Sequence, residues 1–117
     1  MKIQEIQKIL NAEILTQNYN LDEEVFVACG CDLMSDVLKF AKDDGLLLTG
    51  LVNIQVVNTA DMANMRIVIF VRSKKPSSEI VKYAEETGIT LMQTSLPLFE
   101  ACGLLYENGL IGAEAKC

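Results

Sequence analysis

Histidine and tryptophan are absent from the 117 residues, proline occurs twice, and aromatic residues make up only 6%. Without histidine the chain lacks the commonest general base and metal ligand, and with it most nucleophile-plus-base arrangements. No proline-, glycine- or serine-rich linker interrupts the chain, and its length suits one domain with a genuine core. No apolar run approaches the roughly 20 residues of a membrane span. The opening MKIQEIQKIL alternates charge with isoleucine and does not read as a signal peptide, so a cytoplasmic location is expected. Cations are also scarce: ten Lys and Arg against sixteen Asp and Glu leave a net charge of −6, and only Arg72, Lys74 and Lys75 cluster. Such a field opposes nucleic acid and anionic membranes as partners. Neither G-x-G-x-x-G nor G-x-x-x-x-G-K-[ST] occurs, so no nucleotide-hydrolysing phosphate loop is present.

What the chain does have is apolar residues, half of the total, in a pattern that changes period repeatedly. Ile3, Ile6, Ile9 and Leu10 predict a short amphipathic helix, and EILT at 13–16 a first strand. EVFVACG at 24–30 reads as a strand buried on both faces, followed by a helix with Met34, Val37, Leu38 and Ala41 inward. LLLTG, RIVIFV and ITLMQT are further strands. Between them lie a helix with Val56, Val57, Ala60 and Ala63 inward, capped by Asn53, and one that runs from Pro76 to Gly88. A last helix, capped by Thr94 or Ser95, buries Leu98, Ala101, Cys102 and Leu105, and residues 111–117 are expected to fray. Alternation of this kind predicts a three-layer α/β domain over residues 1–110, with a mainly parallel sheet of about five strands.

In a parallel sheet the strand-to-helix loops gather at the carboxyl edge, where ligands usually bind. Asp32, Ser35, Thr49, Asn53, Arg72, Thr94 and Ser95 fall there and form the candidate ligand-binding set, suited to a small polar or anionic molecule. Plain helix capping is the competing account of the same residue types. Cys29-Gly30-Cys31 offers two thiolates, but a structural zinc site needs four ligands and the C-x-x-C redox spacing is missing. The expected roles are therefore a core position for Cys29, a tight turn at Gly30 and a helix cap at Asp32. A thiol redox or metal protein built on Cys29 and Cys31 remains the alternative. Asp43-Asp44 and Glu85-Glu86 read as surface carboxylates. No catalytic group, cofactor or metal is assigned.

The run DLMSDVLKFAKDDGLLLTG, then NIQVVNTADM, RIVIFV, KKPSSEIVKYAEETGITLMQT and PLFEACG, resembles the DRTGG domain family over roughly residues 2–110. That family is similar to the N-terminal domain of HPr kinase/phosphorylase. The five residues behind the family's name are not spelled out here, and no ligand residue is carried over. The resemblance implies a three-layer α/β regulatory or assembly module that lacks the P-loop domain in which HPr kinase/phosphorylase does its chemistry. It also implies a partner enzyme, of redox or carbon metabolism. A homodimer is expected separately, because Phe99, Leu104, Tyr106 and Leu110 exceed what one buried helix face requires.

Overall fold

The computed structural model describes residues 1–17, 19–40 and 43–112. Its elements are α1 (Ile3–Leu10), β1 (Glu13–Ile14), β2 (Ala28–Gly30), α2 (Met34–Phe40), β3 (Leu46–Thr49), α3 (Ile54–Met62), β4 (Ile67–Phe70), α4 (Ser78–Thr87), β5 (Thr90–Gln93) and α5 (Leu98–Glu107). The described residues form one five-stranded sheet in the order β1-β5-β4-β3-β2. Only the β1–β5 pair is antiparallel, with Glu13 opposite Gln93 and Ile14 opposite Met92. The mainly parallel three-layer α/β architecture is as the alternating pattern predicts.

Side-chain alternation along the strands sorts the core into two layers. Leu47, Val68, Phe70 and Leu91 point to one face and pack with Met34, Val56, Val57, Ala60, Ile80 and Ala84 of α2, α3 and α4. Leu46, Leu48, Ile67, Ile69 and Met92 point to the other and pack with Ile3, Ile6 and Leu10 of α1 and Ala101 and Leu105 of α5. β2 to β5 thus lie in sequence order with all three connecting helices on one face, the arrangement that crossovers of a single hand produce.

Several local expectations are met. The Asn53 side chain accepts the Val56 amide and caps α3, and Gly88 ends α4 in the left-handed conformation at φ 80°. Others are corrected. β2 is an edge strand of three residues, and Phe26 just before it is 67% exposed, because only β3 pairs with it along its length. Leu38 lies exposed on α2, and Ala41 is outside the described residues. The N-cap of α5 is Pro97, with no side-chain cap, so neither Thr94 nor Ser95 fills that role. Leu110 is buried, and Ile111 forms a parallel bridge with Val27 along the free edge of β2. Most of the expected flexible tail, residues 113–117, lies outside the described residues.

Candidate functional site

At the carboxyl edge, hydrogen bonds join the four strand-to-helix loops into a continuous rim. Asp32, just after β2, accepts from the Thr49 hydroxyl at 2.9 Å and from the Gly50 amide at 2.7 Å through the same oxygen, Oδ1. This replaces the expected cap on α2: the carboxylate reaches across to the end of β3. Gly50 is held from its other side by Lys74, whose Nζ donates to the Gly50 carbonyl at 2.9 Å. One peptide segment is therefore gripped by an anion at its N–H and a cation at its C=O, each matched to the local dipole.

The loop after β4 completes the rim. Arg72 and Ser73 both take the left-handed conformation, at φ 59° and 58°, which costs an L-residue roughly 1 kcal/mol or more apiece. Their amides donate to Leu96 O and Thr94 O, both at 2.9 Å, and these bonds offset the strain. Thr94 is itself spent on structure: its buried hydroxyl donates to Leu10 O at 2.8 Å and accepts the Leu96 amide at 3.3 Å. Thr49 is fully buried and also accepts the Leu51 amide at 3.1 Å, while the side-chain oxygen of Asn53 serves α3.

Of the seven sequence-predicted site residues, Asp32 and Thr49 are brought into direct contact. Arg72, Ser35 and Ser95 are exposed, and their side chains make no hydrogen bond or ion pair within the described residues. Sequence reasoning missed the Lys74–Gly50 link, because a lysine in a cationic loop gives no sign of a partner 24 residues away. It also missed the paired left-handed residues, which usually announce themselves as Gly or Asn.

The cysteine pair separates onto different duties. Cys29 is buried in the α2–α4 layer, and Cys31 donates its thiol to Leu33 O at 3.4 Å. Neither forms a disulfide, and among the described residues no three His, Cys, Asp or Glu side chains come together as a metal ligand set. Gly30 is no turn glycine: a Cβ built there would sit 2.6 Å from Cys102 Sγ on α5, so close packing is what demands glycine. Gly50 carries no such constraint, since its nearest neighbours would lie at 3.6–3.8 Å. Glu85 is more than surface, because it accepts the Gln17 amide at 2.8 Å.

Two concavities lie against α5. One, of about 120 Å³, sits between α5 and the end of β2, and the other, of about 310 Å³, is a groove on the outer side of α5 lined by Leu96, Phe99, Gly103 and Leu104 with Glu100 and Glu107. Phe99 is 84% exposed and Tyr106 72%, whereas Leu104 packs partly against the core. No helix among the described residues is long and apolar enough to cross a membrane.

The sequence pattern of the DRTGG domain matches residues 5–107, nearly the whole chain. This chain belongs to the DRTGG domain family. Among solved structures, the DRTGG fold seen here is similar to the CBS and DRTGG domains of the regulatory region of Clostridium perfringens pyrophosphatase, described as complexed with the activator diadenosine tetraphosphate. The match has a TM-score of 0.74 at 21% identity and covers 89% of this chain and 45% of that one. This DRTGG domain thus spans less than half the length of that structure, and the likeness is one of fold. No curated protein matches the chain.

Proposed function

We propose that this DRTGG domain is a non-catalytic regulatory module that binds a small polar or anionic ligand at the carboxyl edge of its sheet and acts through association. The observation that carries the reading is the linked rim. Among the described residues the guanidinium of Arg72 has no hydrogen-bond or ion-pair partner, and it stands on a backbone held in a strained conformation by two hydrogen bonds, beside the Asp32–Gly50–Lys74 grip. Strain of this kind is tolerated where a position matters to function. Ser35 and Ser95 supply hydroxyls, the second oxygen of Asp32 accepts no hydrogen bond from the described residues, and Thr49, Asn53 and Thr94 shape the rim from beneath. The regulatory region of the clostridial pyrophosphatase takes a nucleotide activator, which supports a regulatory role here. The chain has neither histidine nor a phosphate loop, which supports a role without catalysis. On this reading it works in the cytoplasm beside a partner enzyme of redox or carbon metabolism.

A second reading, a dimeric assembly module without ligand, is favoured by one observation: Phe99 stands almost bare on α5 beside an apolar groove. A melting-temperature screen with nucleotides, phosphorylated sugars and organic acids separates the two, because a ligand that binds only the native state stabilises it by RT ln(1 + [L]/Kd). A rise that Arg72→Ala abolishes supports the ligand-binding reading. No rise from any class at millimolar concentration leaves the assembly module, with light scattering as its own test.

A further inference from the structure

We infer that the groove on the outer side of α5 is a self-association surface, on which a second copy of this chain packs its own α5 antiparallel, with each Phe99 ring over Gly103 of the other copy. This rests on the association named above and gives it a surface; ligand binding at the rim is not needed for it. Glu100, Gly103 and Glu107, at i, i+3 and i+7, form one stripe along the helix, with Phe99 and Leu104 on its two sides and Leu96 at its N-terminal end. Gly103 stands in the interior of α5, where only proline is a poorer helix former. Among the described residues nothing asks for glycine there, since a Cβ built on it would meet no atom within 4 Å. One turn before this gap stands Phe99, 84% exposed. A projecting ring and a missing side chain thus lie next to each other on the same face.

A ring and a gap on one helix fit a copy of themselves when the two helices run antiparallel. A two-fold axis crossing α5 at the level of Ala101, midway between Phe99 and Gly103, sets both rings over both gaps at once. The bare glycine lets the helices approach towards the short end of the usual range, about 8 Å between axes. The same axis carries Glu107, about 9 Å along the helix on one side, to Leu96 of the second copy, about 7.5 Å along on the other. Leu96 is where positive charge gathers. Arg72 donates its amide to Leu96 O at 2.9 Å, and its guanidinium has no hydrogen-bond or ion-pair partner among the described residues. α5 also starts beside it, at Pro97, without a side-chain cap on its amides. The carboxylate end of each groove therefore meets a cation and the positive end of a helix dipole. A parallel pair would set ring on ring and Glu107 on Glu107. Glu100, one residue from the axis, meets its own copy there and opposes the pairing.

One helix face is a small interface, so a dissociation constant on the order of micromolar is expected. Sedimentation velocity of the intact chain without ligand, across a concentration series, should show a monomer–dimer equilibrium. Phe99→Ala should weaken dimerisation about tenfold, as loss of an aromatic anchor does. Gly103→Ala separates this inference from a structural role. It should raise the melting temperature of the dilute, monomeric chain, because the space is open and alanine is the better helix former, yet weaken dimerisation several-fold. Glu107→Arg and Arg72→Glu should each weaken dimerisation several-fold and together restore it, and Glu100→Gln should tighten it. In dimers mixed from labelled and unlabelled chains, isotope-filtered NMR should place the Phe99 ring protons beside the Gly103 Hα protons of the other copy. A monomeric mass up to millimolar concentration overturns this inference and the association reading together. A dimer indifferent to Phe99 and Gly103, or one whose contacts between copies fall on other residues, overturns this inference alone.

Discussion

Asp32 tests whether the rim is real, because the cap expected from sequence and the bridge found in the structure predict different couplings. Asp32→Ala removes an acceptor from the Thr49 hydroxyl and the Gly50 amide. A hydrogen bond to a charged group contributes about 1.5–3 kcal/mol. Water can reach the exposed Asp32 side and restore part of that, so about 2 kcal/mol is expected for the whole substitution. Thr49→Val deletes the buried donor and the acceptor of the Leu51 amide, and should cost about 1–2 kcal/mol. Both substitutions break the same Asp32–Thr49 bond, so the double variant should fall short of the sum by about 1–2 kcal/mol. Asp32→Asn keeps an acceptor oxygen and should retain most of the stability. The assay is urea unfolding with an unchanged slope, so that midpoints report stability alone. A cap on α2 would leave Thr49 uncoupled; additivity of the two substitutions within about 0.5 kcal/mol refutes the bridge.

The two glycines at the ends of β2 and β3 should part company: Gly30→Ala should cost about 1–3 kcal/mol by pressing on Cys102, with relief from Cys102→Ala, while Gly50→Ala should stay within about 0.5 kcal/mol. Arg72→Gly should keep or raise stability by up to about 1 kcal/mol, by removing left-handed strain, yet abolish any ligand-induced rise in melting temperature. Burial raises the Cys102 pKa, so the stability it contributes is fully present below the ordinary thiol range and lost as pH rises through the raised value. Alkaline unfolding midpoints of Cys102→Ser against the unmodified chain check this, and identical pH profiles count against it. For association, light scattering should give twice the chain mass, and Phe99→Glu should halve it while leaving the fold intact, with a melting temperature that no longer depends on protein concentration; a monomeric mass for the unmodified chain ends that idea.

Element identities were legible because they are written in short-range periodicity. Val56, Val57 and Ala60 mark a helix face by spacing alone, and Asn53 and Gly88 carry the chemistry of their caps. What periodicity does not encode is whether a strand is central or at an edge. EVFVACG has the composition of a central strand, yet Val25 and Cys29 are buried while Phe26 faces water. The site was legible only as a set of loops. Its decisive contacts join residues 17 and 24 positions apart for Asp32–Thr49 and Lys74–Gly50, and 84 apart for Thr94–Leu10, separations at which no local pattern survives. Residue types that cap helices in most loops were turned here to tying one loop to the next.

The strand order explains why the concavities lie where they do. Open α/β sheets usually bind ligands at the point where strand order reverses and helices on opposite faces part to leave a crevice. β2 to β5 run without reversal, so no such crevice forms and the carboxyl edge closes into a hydrogen-bonded rim. Five strands at a spacing of about 4.8 Å span four gaps, about 19 Å. Three helices packed about 10 Å apart overhang that width, but two only just span it. The face carrying α1 and α5 is therefore the thinly covered one, and β2 at its margin offers only Ala28 and Gly30 beneath α5. The solvent-open concavity between β2 and α5, beside the Val27–Ile111 bridge, lies at that thinly covered margin.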